Sequence, residues 1–311
     1  MRITMDTIRS ARSQIVRSFA RGFLPRTPLL ITNTQFRKWF FMPMNYWRSL
    51  ELPLVYAMIG RSEREPSRIL DVSSPKLLAF VLARRFPGAK VTSTDISDYF
   101  VADATGLRDA TKRNNLEFQI QDARALTFGD GHFDLIYSIS TIEHIPDEGD
   151  IDAIQELHRV LAPGGRLLVT VPFASKAIDE FIEPEDIYWS GFSTAAGQKV
   201  FYQRRYDRDT IKTRIAEAAP WAETRILYMA ERPVDGVRQS APDGMMEENI
   251  HTISARFKSN LLMRTILKLQ VPVLFAGYWY FRRYSDRCHY LTDDASDTNI
   301  RGAFVEMVKP G

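Results

Sequence analysis

The stretch Arg68-Ile-Leu-Asp71-Val-Ser73-Ser-Pro-Lys76-Leu-Leu-Ala79 decides the fold. Residues 69–72 form a short, mostly apolar run of the kind that becomes a buried strand. The residues that follow favour a helix, because Ser74 is a good N-cap and Pro75 fits the first helical position. A turn from a parallel strand into its helix is where α/β proteins hold nucleotide-like ligands. This turn contains no glycine, although glycine is the residue that most easily allows the backbone to approach a ligand.

Short apolar runs continue to alternate with helical patterns after this stretch. Strands are predicted at 69–72, 91–94, 118–121, 133–138, 166–171, 223–229 and 302–308. Helices are predicted at 51–59, 76–86, 98–113, 149–161 and 206–219, and a polar, aromatic-rich loop at 174–203. Strands and helices that alternate at this spacing indicate right-handed crossovers and a sheet covered on both faces. The predicted fold class is α/β, with a doubly wound sheet of seven strands.

The composition indicates an ordinary globular protein, with 45% apolar and 25% charged residues. The 41 basic and 38 acidic residues give a net charge of +3, which is too balanced to predict a nucleic-acid partner. The single cysteine, Cys288, excludes an internal disulfide and suits a reducing compartment, so we expect a cytoplasmic protein. The longest uncharged apolar run, 269–281, is shorter than the roughly 18–20 residues that cross a bilayer.

Two segments combine basic and apolar residues. Residues 1–26 carry six arginines against one acid, with Ile8, Ile15 and Phe19 near helical spacing. Such a helix can lie on an anionic membrane surface, or it can pack on its own domain. The segment 260–283 has the same character, and association of both segments with a membrane surface is one hypothesis. Burial of 260–283 against the N-terminal aromatic block, residues 39–47, is the alternative. The arginine-rich start also fits a mitochondrial transit peptide.

Acidic or polar residues stand where the first four predicted strands end. Asp71, Asp95 and Asp122 close the first three, and the run from Ser138 to His144 follows the fourth. The C-terminal ends of parallel strands meet at one edge of the sheet, where ligands bind. Asp95 lies 24 residues beyond Asp71, near the spacing at which an acid meets ribose hydroxyls. Any one of these aspartates is commonly a loop cap, but together they predict a ligand site.

Residues 68–173 resemble a class I S-adenosylmethionine-dependent methyltransferase. The most specific matching stretches are Phe133-Asp-Leu-Ile-Tyr-Ser138-Ile-Ser140-Thr-Ile-Glu143-His144 and Leu157-His-Arg-Val-Leu-Ala-Pro-Gly-Gly-Arg-Leu-Leu. The resemblance implies a Rossmann-like, mostly parallel sheet with an antiparallel last strand, and S-adenosyl-L-methionine as cofactor. It implies that Asp95 holds the ribose, that Asp122 and Ala123 border the adenine, and that Ser138 to Ser140 lie beside the methionine. The other cofactor-binding candidates, from the first two strand ends, are Asp71, Ser73, Ser74, Lys76 and Ile96.

The chain departs from the family in its first loop. The family usually has Asp-x-Gly-x-Gly-x-Gly, and this chain has Ser73, Pro75 and Leu77 at the glycine positions. The following helix would still present free amides and its positive dipole end to a carboxylate. Lys76 is a candidate partner for an anion, with a solvated surface lysine as the alternative. We therefore expect a rebuilt cofactor loop.

His144 and Glu143 are the candidate catalytic residues. Methyl transfer from a sulfonium is an in-line displacement that depends chiefly on positioning, and a hydroxyl acceptor also benefits from a general base. His144 directly follows the fourth strand and suits that role, although it could instead cap or pack beneath the site. Glu143 could orient the acceptor or bind an amine. The histidines show no metal-ligand spacing, so no metal is predicted.

The chain divides into four predicted segments. These are an N-terminal helical and aromatic extension (1–66), a cofactor-binding core (67–232) with a substrate lid (174–203), an apolar and basic helical insertion (233–301), and the final strand (302–311). Lid residues that could stack on a substrate ring or meet a phosphate or carboxylate are Phe181, Tyr188, Trp189, Phe192, Tyr202, Arg204 and Arg205. The alternative is a lid whose residues pack on one another.

The leading hypothesis is a peripheral-membrane methyltransferase acting on a small molecule or glycan, including a lipid-linked or cell-surface polysaccharide precursor. A second hypothesis is a non-catalytic relative that serves as a binding or scaffold protein, which the glycine-free loop favours. A nucleotide-dependent oxidoreductase is disfavoured, because no Gly-x-Gly-x-x-Gly follows the first strand.

Overall fold

The computed structural model describes residues 3–23, 44, 47–62, 64–73, 75–183, 199–233 and 285–311. The helices are α1 (Met5–Phe23), α2 (Arg48–Ile59), α3 (Leu77–Arg85), α4 (Asp98–Thr111), α5 (Gly149–Val160) and α6 (Arg208–Ile211). The strands are β1 (Arg68–Val72), β2 (Lys90–Asp95), β3 (Leu116–Ile120), β4 (Phe133–Ile139), β5 (Leu161–Pro172), β6 (Ile178–Ile182), β7 (Val200–Arg205), β8 (Glu223–Glu231), β9 (His289–Thr292) and β10 (Ile300–Val308). A 3₁₀ turn spans Ile142–His144, and a π turn spans Lys212–Ala216.

The main sheet has eight strands in the order β3-β2-β1-β4-β5-β10-β8-β9. Strands β1 to β5 are parallel, whereas β10 runs antiparallel to both β5 and β8. The prediction of a doubly wound, mostly parallel α/β sheet with an antiparallel last strand is confirmed. The number of strands is eight rather than seven, because β9 pairs with the end of β8 and lies within the residues assigned to the insertion.

Strand β1 is buried on both faces of the sheet, and alternate side chains enter different cores. Ile69 packs with residues of α1, α2, α3 and α4, whereas Leu70 and Val72 pack with residues of α5 and α6. The crevice between β1 and β4 is the point at which the strand order reverses. This is the place where open α/β sheets bind ligands.

The apolar face of α1 is buried inside the protein. Ile8, Ile15 and Phe19 lie in one core cluster with α2, as in the alternative where this helix packs on its own domain. Arg12 is buried as well, donating its Nε hydrogen to the Ser49 carbonyl at 2.9 Å and pairing with Asp286 at 2.7 Å. Within the described residues, no helix has both the length and the apolar character needed to cross a membrane. The segment 260–283 lies outside them.

After β5, the structure contradicts the predicted loop and shortens the predicted helix. The predicted loop 174–203 contains an antiparallel hairpin of β6 and β7, stabilised across the strands by ion pairs of Arg204 with Asp179 and of Arg205 with Glu180. The predicted helix at 206–219 is the single turn α6 followed by the π turn. Its start is fixed by Asp207, which accepts a hydrogen bond from the Thr210 amide at 2.9 Å.

Candidate functional site

The strand ends gather the predicted ligand residues along one edge of the sheet. Parallel pairing sets Asp71 beside Ser93 in β2 and Tyr137 in β4, and sets Asp95 beside Ile120 in β3. The C-terminal ends of β1 to β4 therefore lie in one row. The ends of β3, β2 and β1 lie on one side of the crevice, and the end of β4 lies on the other.

The loop after β1 keeps a glycine-like backbone without glycine. Ser73 has a φ of 51°, in the left-handed region that glycine adopts most easily. Its amide donates to the Thr94 carbonyl at 2.9 Å, and its carbonyl accepts from the Thr141 hydroxyl at 3.2 Å. These bonds tie the loop to the ends of β2 and β4. The structure places Lys76 at the N-cap of α3, and Ser74, predicted there, lies outside the described residues.

We expect Ser73→Gly to stabilise the protein by about 0.5–1 kcal/mol. A left-handed backbone costs a non-glycine residue about 1–2 kcal/mol, and the greater freedom of glycine in the unfolded chain offsets part of the gain. Urea unfolding measures the change. The matched control is Ser97→Gly, where φ is −95° and no such strain exists, so that variant should not gain stability. Equal effects at the two positions would contradict the assignment of strain to Ser73.

Asp71 lies fully buried within β1, one residue before the strand ends. It accepts a hydrogen bond from the Ser93 hydroxyl at 2.7 Å. Burial, together with the neighbouring Asp71, raises the pKa of Tyr137 well above its ordinary value. Asp71 thus lies beneath the loop of Ser73, where it braces β1 against β2.

Asp95 and Lys76 form a buried ion pair at the end of β2. Lys76 Nζ lies 3.2 Å from one Asp95 oxygen and donates to the Thr94 carbonyl at 2.8 Å, while the other Asp95 oxygen accepts from the Ser97 amide at 3.1 Å. Lys76 is therefore not a solvated surface lysine, and its anionic partner is a protein carboxylate. Each carboxylate oxygen has two lone pairs, so Asp95 can still accept hydrogen bonds from two hydroxyl groups.

The ends of β2 and β3 carry exposed isoleucine side chains and an aspartate that is held by an arginine. Ile96 is 65% exposed and Ile120 is 58% exposed, which is unusual for isoleucine at strand ends. Asp122 binds Arg124 through both carboxylate oxygens, and hydrogen bonds from Arg124 lower the pKa of Asp122. Ala123 is half-buried beside it. Ile120 and Arg124 were not predicted from the sequence.

The ends of β4 and β5 are covered by the start of α2. Ser138 is buried and donates to the Val72 carbonyl at 3.4 Å. Ser140 has a φ of 46° and donates its hydroxyl hydrogen to Glu51 Oε1 at 2.5 Å. Glu51 also accepts from the Thr170 hydroxyl at 3.1 Å and pairs with Arg48 at 2.6 Å. Glu51 was missed, although a single acid among the apolar residues of α2 is a signal for a buried functional carboxylate.

His144 and Glu143 lie together in the turn after β4. His144 Nδ1 is 2.6 Å from the Tyr202 carbonyl, which can only accept, so Nδ1 carries the hydrogen and Nε2 the lone pair. Burial lowers the pKa of His144 to about 4, so the ring is neutral at pH 7. Burial also raises the pKa of Glu143 to about 8, so this carboxyl group is protonated at pH 7. His144 Nε2 lies 3.9 Å from Glu143 Oε1.

Comparison with known proteins finds similarity to methyltransferases. The family model described as a methyltransferase domain matches residues 70–169. A demethylmenaquinone methyltransferase of Thermus thermophilus is 40% identical over 109 residues, which are 34% of this chain and 48% of that protein. Residues 70–169 belong to the class I S-adenosylmethionine-dependent methyltransferase family. The resemblance inferred from the motifs is thereby confirmed for this methyltransferase core.

Two further proteins are similar to this chain, one over a short stretch and one over most of its length. A tocopherol O-methyltransferase of Arabidopsis thaliana is 37% identical over 89 residues, which are 28% of this chain and 25% of that protein. The chain thus spans less than half the length of either of these curated relatives. The solved structure of the YcgJ protein from Bacillus subtilis aligns with a TM-score of 0.49 and 16% identity, covering 84% of this chain and 98% of that one.

The hairpin is fixed to the methyltransferase core by a buried acid, Asp150, at the start of α5. Arg204, Tyr206 and Arg214 donate to its carboxylate at 3.0, 2.7 and 2.6 Å respectively. Burial alone would raise the pKa of Asp150, but hydrogen bonds from Arg214 and Tyr206 outweigh it and lower the pKa. Because Tyr202 belongs to the same hairpin, this network also holds its carbonyl against His144.

The predicted substrate contacts of the lid have mixed outcomes. Arg204 is paired with Asp150 and Asp179, and Arg205 with Glu180, as in the alternative where the lid packs on itself. Phe181 is exposed beside Phe201, and the Tyr202 ring meets the His144 ring edge-on at 5.2 Å. The other lid aromatics, Tyr188, Trp189 and Phe192, lie outside the described residues.

Proposed function

We propose that the protein is an S-adenosylmethionine-dependent methyltransferase that acts on a small organic molecule. The observation that carries this proposal is the row of strand ends in a methyltransferase core, from Asp122 and Asp95 across the crevice to Ser140 and His144. The names of the curated relatives, which refer to demethylmenaquinone and tocopherol, support a small-molecule acceptor.

The residues present fit the cofactor. Asp95 has lone pairs free for the ribose hydroxyls, and the exposed Ile96 and Ile120 offer apolar surface to the adenine ring. The left-handed Ser73 keeps the backbone course that the family obtains from glycine. Asp71 accepts a hydrogen bond from Ser93 next to the loop, and Lys76 pairs with one carboxylate oxygen of Asp95.

The bound cofactor supplies a methyl group on a sulfonium for in-line displacement. In the protein, the Tyr202 carbonyl fixes the tautomer of His144, so that the Nε2 lone pair is available to take a proton from an acceptor hydroxyl. Ser140 and Glu51 fix the backbone at the end of β4, where the acceptor and the cofactor meet. These contacts orient the reacting groups and hold a base beside them.

A narrower acceptor class is a glycan, or a lipid-linked or cell-surface polysaccharide precursor, handled by a cytoplasmic protein at a membrane surface. The exposed arginines of α1, Arg9, Arg17 and Arg21, support attraction to anionic lipid, although the apolar face of that helix is already buried. Co-sedimentation with vesicles that contain phosphatidylserine tests this proposal. Binding should fall when the three arginines are replaced by glutamine, and equal pelleting of both forms would count against it.

Isothermal titration with S-adenosylmethionine is the first test of the function. The second candidate, a non-catalytic binding protein, is favoured by the Lys76–Asp95 pair, which already neutralises the ribose acid. If no heat appears at millimolar ligand, the enzyme proposal fails. If the cofactor binds, incubation with a metabolite extract and methyl-labelled cofactor, followed by mass spectrometry, should reveal a labelled product.

We expect Asp95→Ala to weaken the binding of S-adenosylmethionine about 10- to 150-fold. Hydrogen bonds to an ionised group contribute about 1.5–3 kcal/mol, and the substitution removes both acceptor oxygens. Titration calorimetry measures the loss, with thermal unfolding as a check that the variant is folded. Asp98→Ala is the matched control, because Asp98 is an exposed aspartate three residues later. Unchanged affinity in Asp95→Ala would refute the placement of the ribose.

A further inference from the structure

Glu143 is a buried acid whose hydrogen bonding is incomplete. Its side chain is 2% exposed, and among the described residues no group donates to its Oε2 atom. A buried polar atom without a partner costs free energy, and in native proteins it calls for an explanation. Glu143 lies three residues beyond Ser140, in the turn that begins where β4 ends.

Glu143 shares the positive charge of Arg48 with a second acid, Glu51. From α2, Arg48 and Glu51 act on it with opposite sign, and Arg48 is itself bound to Glu51 at 2.6 Å. From its own turn, the neutral His144 lies 3.9 Å away. Tyr206 also interacts electrostatically with Glu143, and Tyr206 donates to Asp150, which pairs with Arg204 and Arg214. The two carboxyl groups of Glu143 and Glu51 thus both interact with the positive charge of Arg48. A second positive charge nearby would stabilise the ionised form of both.

We infer that Glu143 is the countercharge for the sulfonium of the cofactor: a neutral acid in the free protein, it releases its proton to solvent when the sulfonium binds. The inference rests on the proposed function, which sets the methionine end of the cofactor beside Ser138 to Ser140. Burial raises the pKa of Glu143 to about 8, which agrees with a neutral acid at pH 7 in the free protein. A nearby positive charge favours the ionised form.

The proton balance closes over one turnover. Binding of the cofactor sends one proton from Glu143 to the buffer. Methyl transfer then forms a bond from the acceptor oxygen to the methyl carbon, and the electron pair of the broken carbon–sulfur bond stays on sulfur as a neutral thioether. The acceptor proton passes to His144 Nε2 and on to Glu143, 3.9 Å away, which is neutral again when product leaves. The ionised Glu143 also makes His144 a stronger base during the reaction, because an opposite charge favours the imidazolium.

The test compares S-adenosylmethionine with S-adenosylhomocysteine, which lacks the methyl group and the sulfonium charge. Calorimetry at pH 7 in phosphate and in Tris, whose ionisation enthalpies differ, gives the number of protons released on binding. We expect about one proton for S-adenosylmethionine and none for S-adenosylhomocysteine. Glu143→Gln keeps the shape and the neutral state, so it should fold. It should also abolish the release and lower the preference for S-adenosylmethionine over S-adenosylhomocysteine about tenfold.

Two controls separate this role from a structural one. Glu217→Gln removes an exposed carboxylate and should leave the proton count unchanged. Glu143→Asp keeps an ionisable group and should restore part of the release. Equal proton release with both ligands, or release that persists in Glu143→Gln, would overturn the inference and leave the proposed function intact. If neither ligand binds, the proposed function fails and the inference fails with it.

Discussion

Replacing His144 by alanine should lower the turnover of methyl transfer about 100- to 10,000-fold, the usual contribution of a general base. The ring is neutral at pH 7, because burial lowers its pKa to about 4, and its Nε2 lone pair is available. The affinity for S-adenosylmethionine should change little, because the contacts proposed for its ribose and adenine lie at the ends of β2 and β3. Single-turnover measurement with methyl-labelled cofactor and the acceptor found in the extract gives the rate.

His144→Asn separates the base from the hydrogen bond that orients it. The amide nitrogen of asparagine can take the place of Nδ1 and donate to the Tyr202 carbonyl, but nothing replaces Nε2. This variant should therefore be about as slow as His144→Ala while keeping the hairpin in position. If His144→Asn keeps most of the activity, or if turnover and cofactor affinity fall together in both variants, the role of His144 is structural.

Replacing Asp150 by alanine should destabilise the protein by about 3–5 kcal/mol, the cost of removing one partner from a buried ion pair. The substitution leaves Arg204, Arg214 and the Tyr206 hydroxyl without the carboxylate that they share. Arg204 keeps its contact with Asp179, which limits the loss. Urea unfolding measures the free energy, and Asp152→Ala, an exposed aspartate on the same helix, is the matched control.

The acid sensitivity of the protein provides a second measurement on Asp150. Its pKa is lower in the folded protein than in the unfolded chain, so its stabilisation is full above the unfolded value near 4. It is lost as the pH falls through the folded pKa. The stability difference between the wild type and Asp150→Ala should therefore shrink in acid. A loss of less than about 1 kcal/mol at pH 7 would show that the arginines find other partners.

The sequence predicted the strands and helices that a local pattern of apolar residues specifies. The short, mostly apolar runs of β1 and β4 indicate buried parallel strands, because such strands are covered on both faces of the sheet. The aspartate at the end of β2 was found by its position at a strand end and its spacing of 24 residues from Asp71. The helices between these strands followed from apolar spacing, and their bounds differ from the prediction by only a few residues.

The sequence could not predict contacts between distant segments. The pairing of Lys76 with Asp95 depends on how β1 and β2 align, and that of Glu51 with Ser140 on how α2 crosses the sheet. Each pair joins a charge to a partner that no local pattern specifies. Strand β9 was missed because four residues carry little periodicity, and only their pairing with the end of β8 makes them a strand.

Strand β10 has a position with consequences for the whole domain. It is hydrogen-bonded to β5 on one side and to β8 on the other, so it alone joins the parallel strands to β8 and β9 within the described sheet. Central strands that are hydrogen-bonded to a neighbour on each side open only when the domain unfolds globally. Edge strands such as β3 and β9 can open locally. The half of the sheet that carries the strand-end residues therefore shares one cooperative unfolding unit with β8, and weakening β10 would uncouple the two.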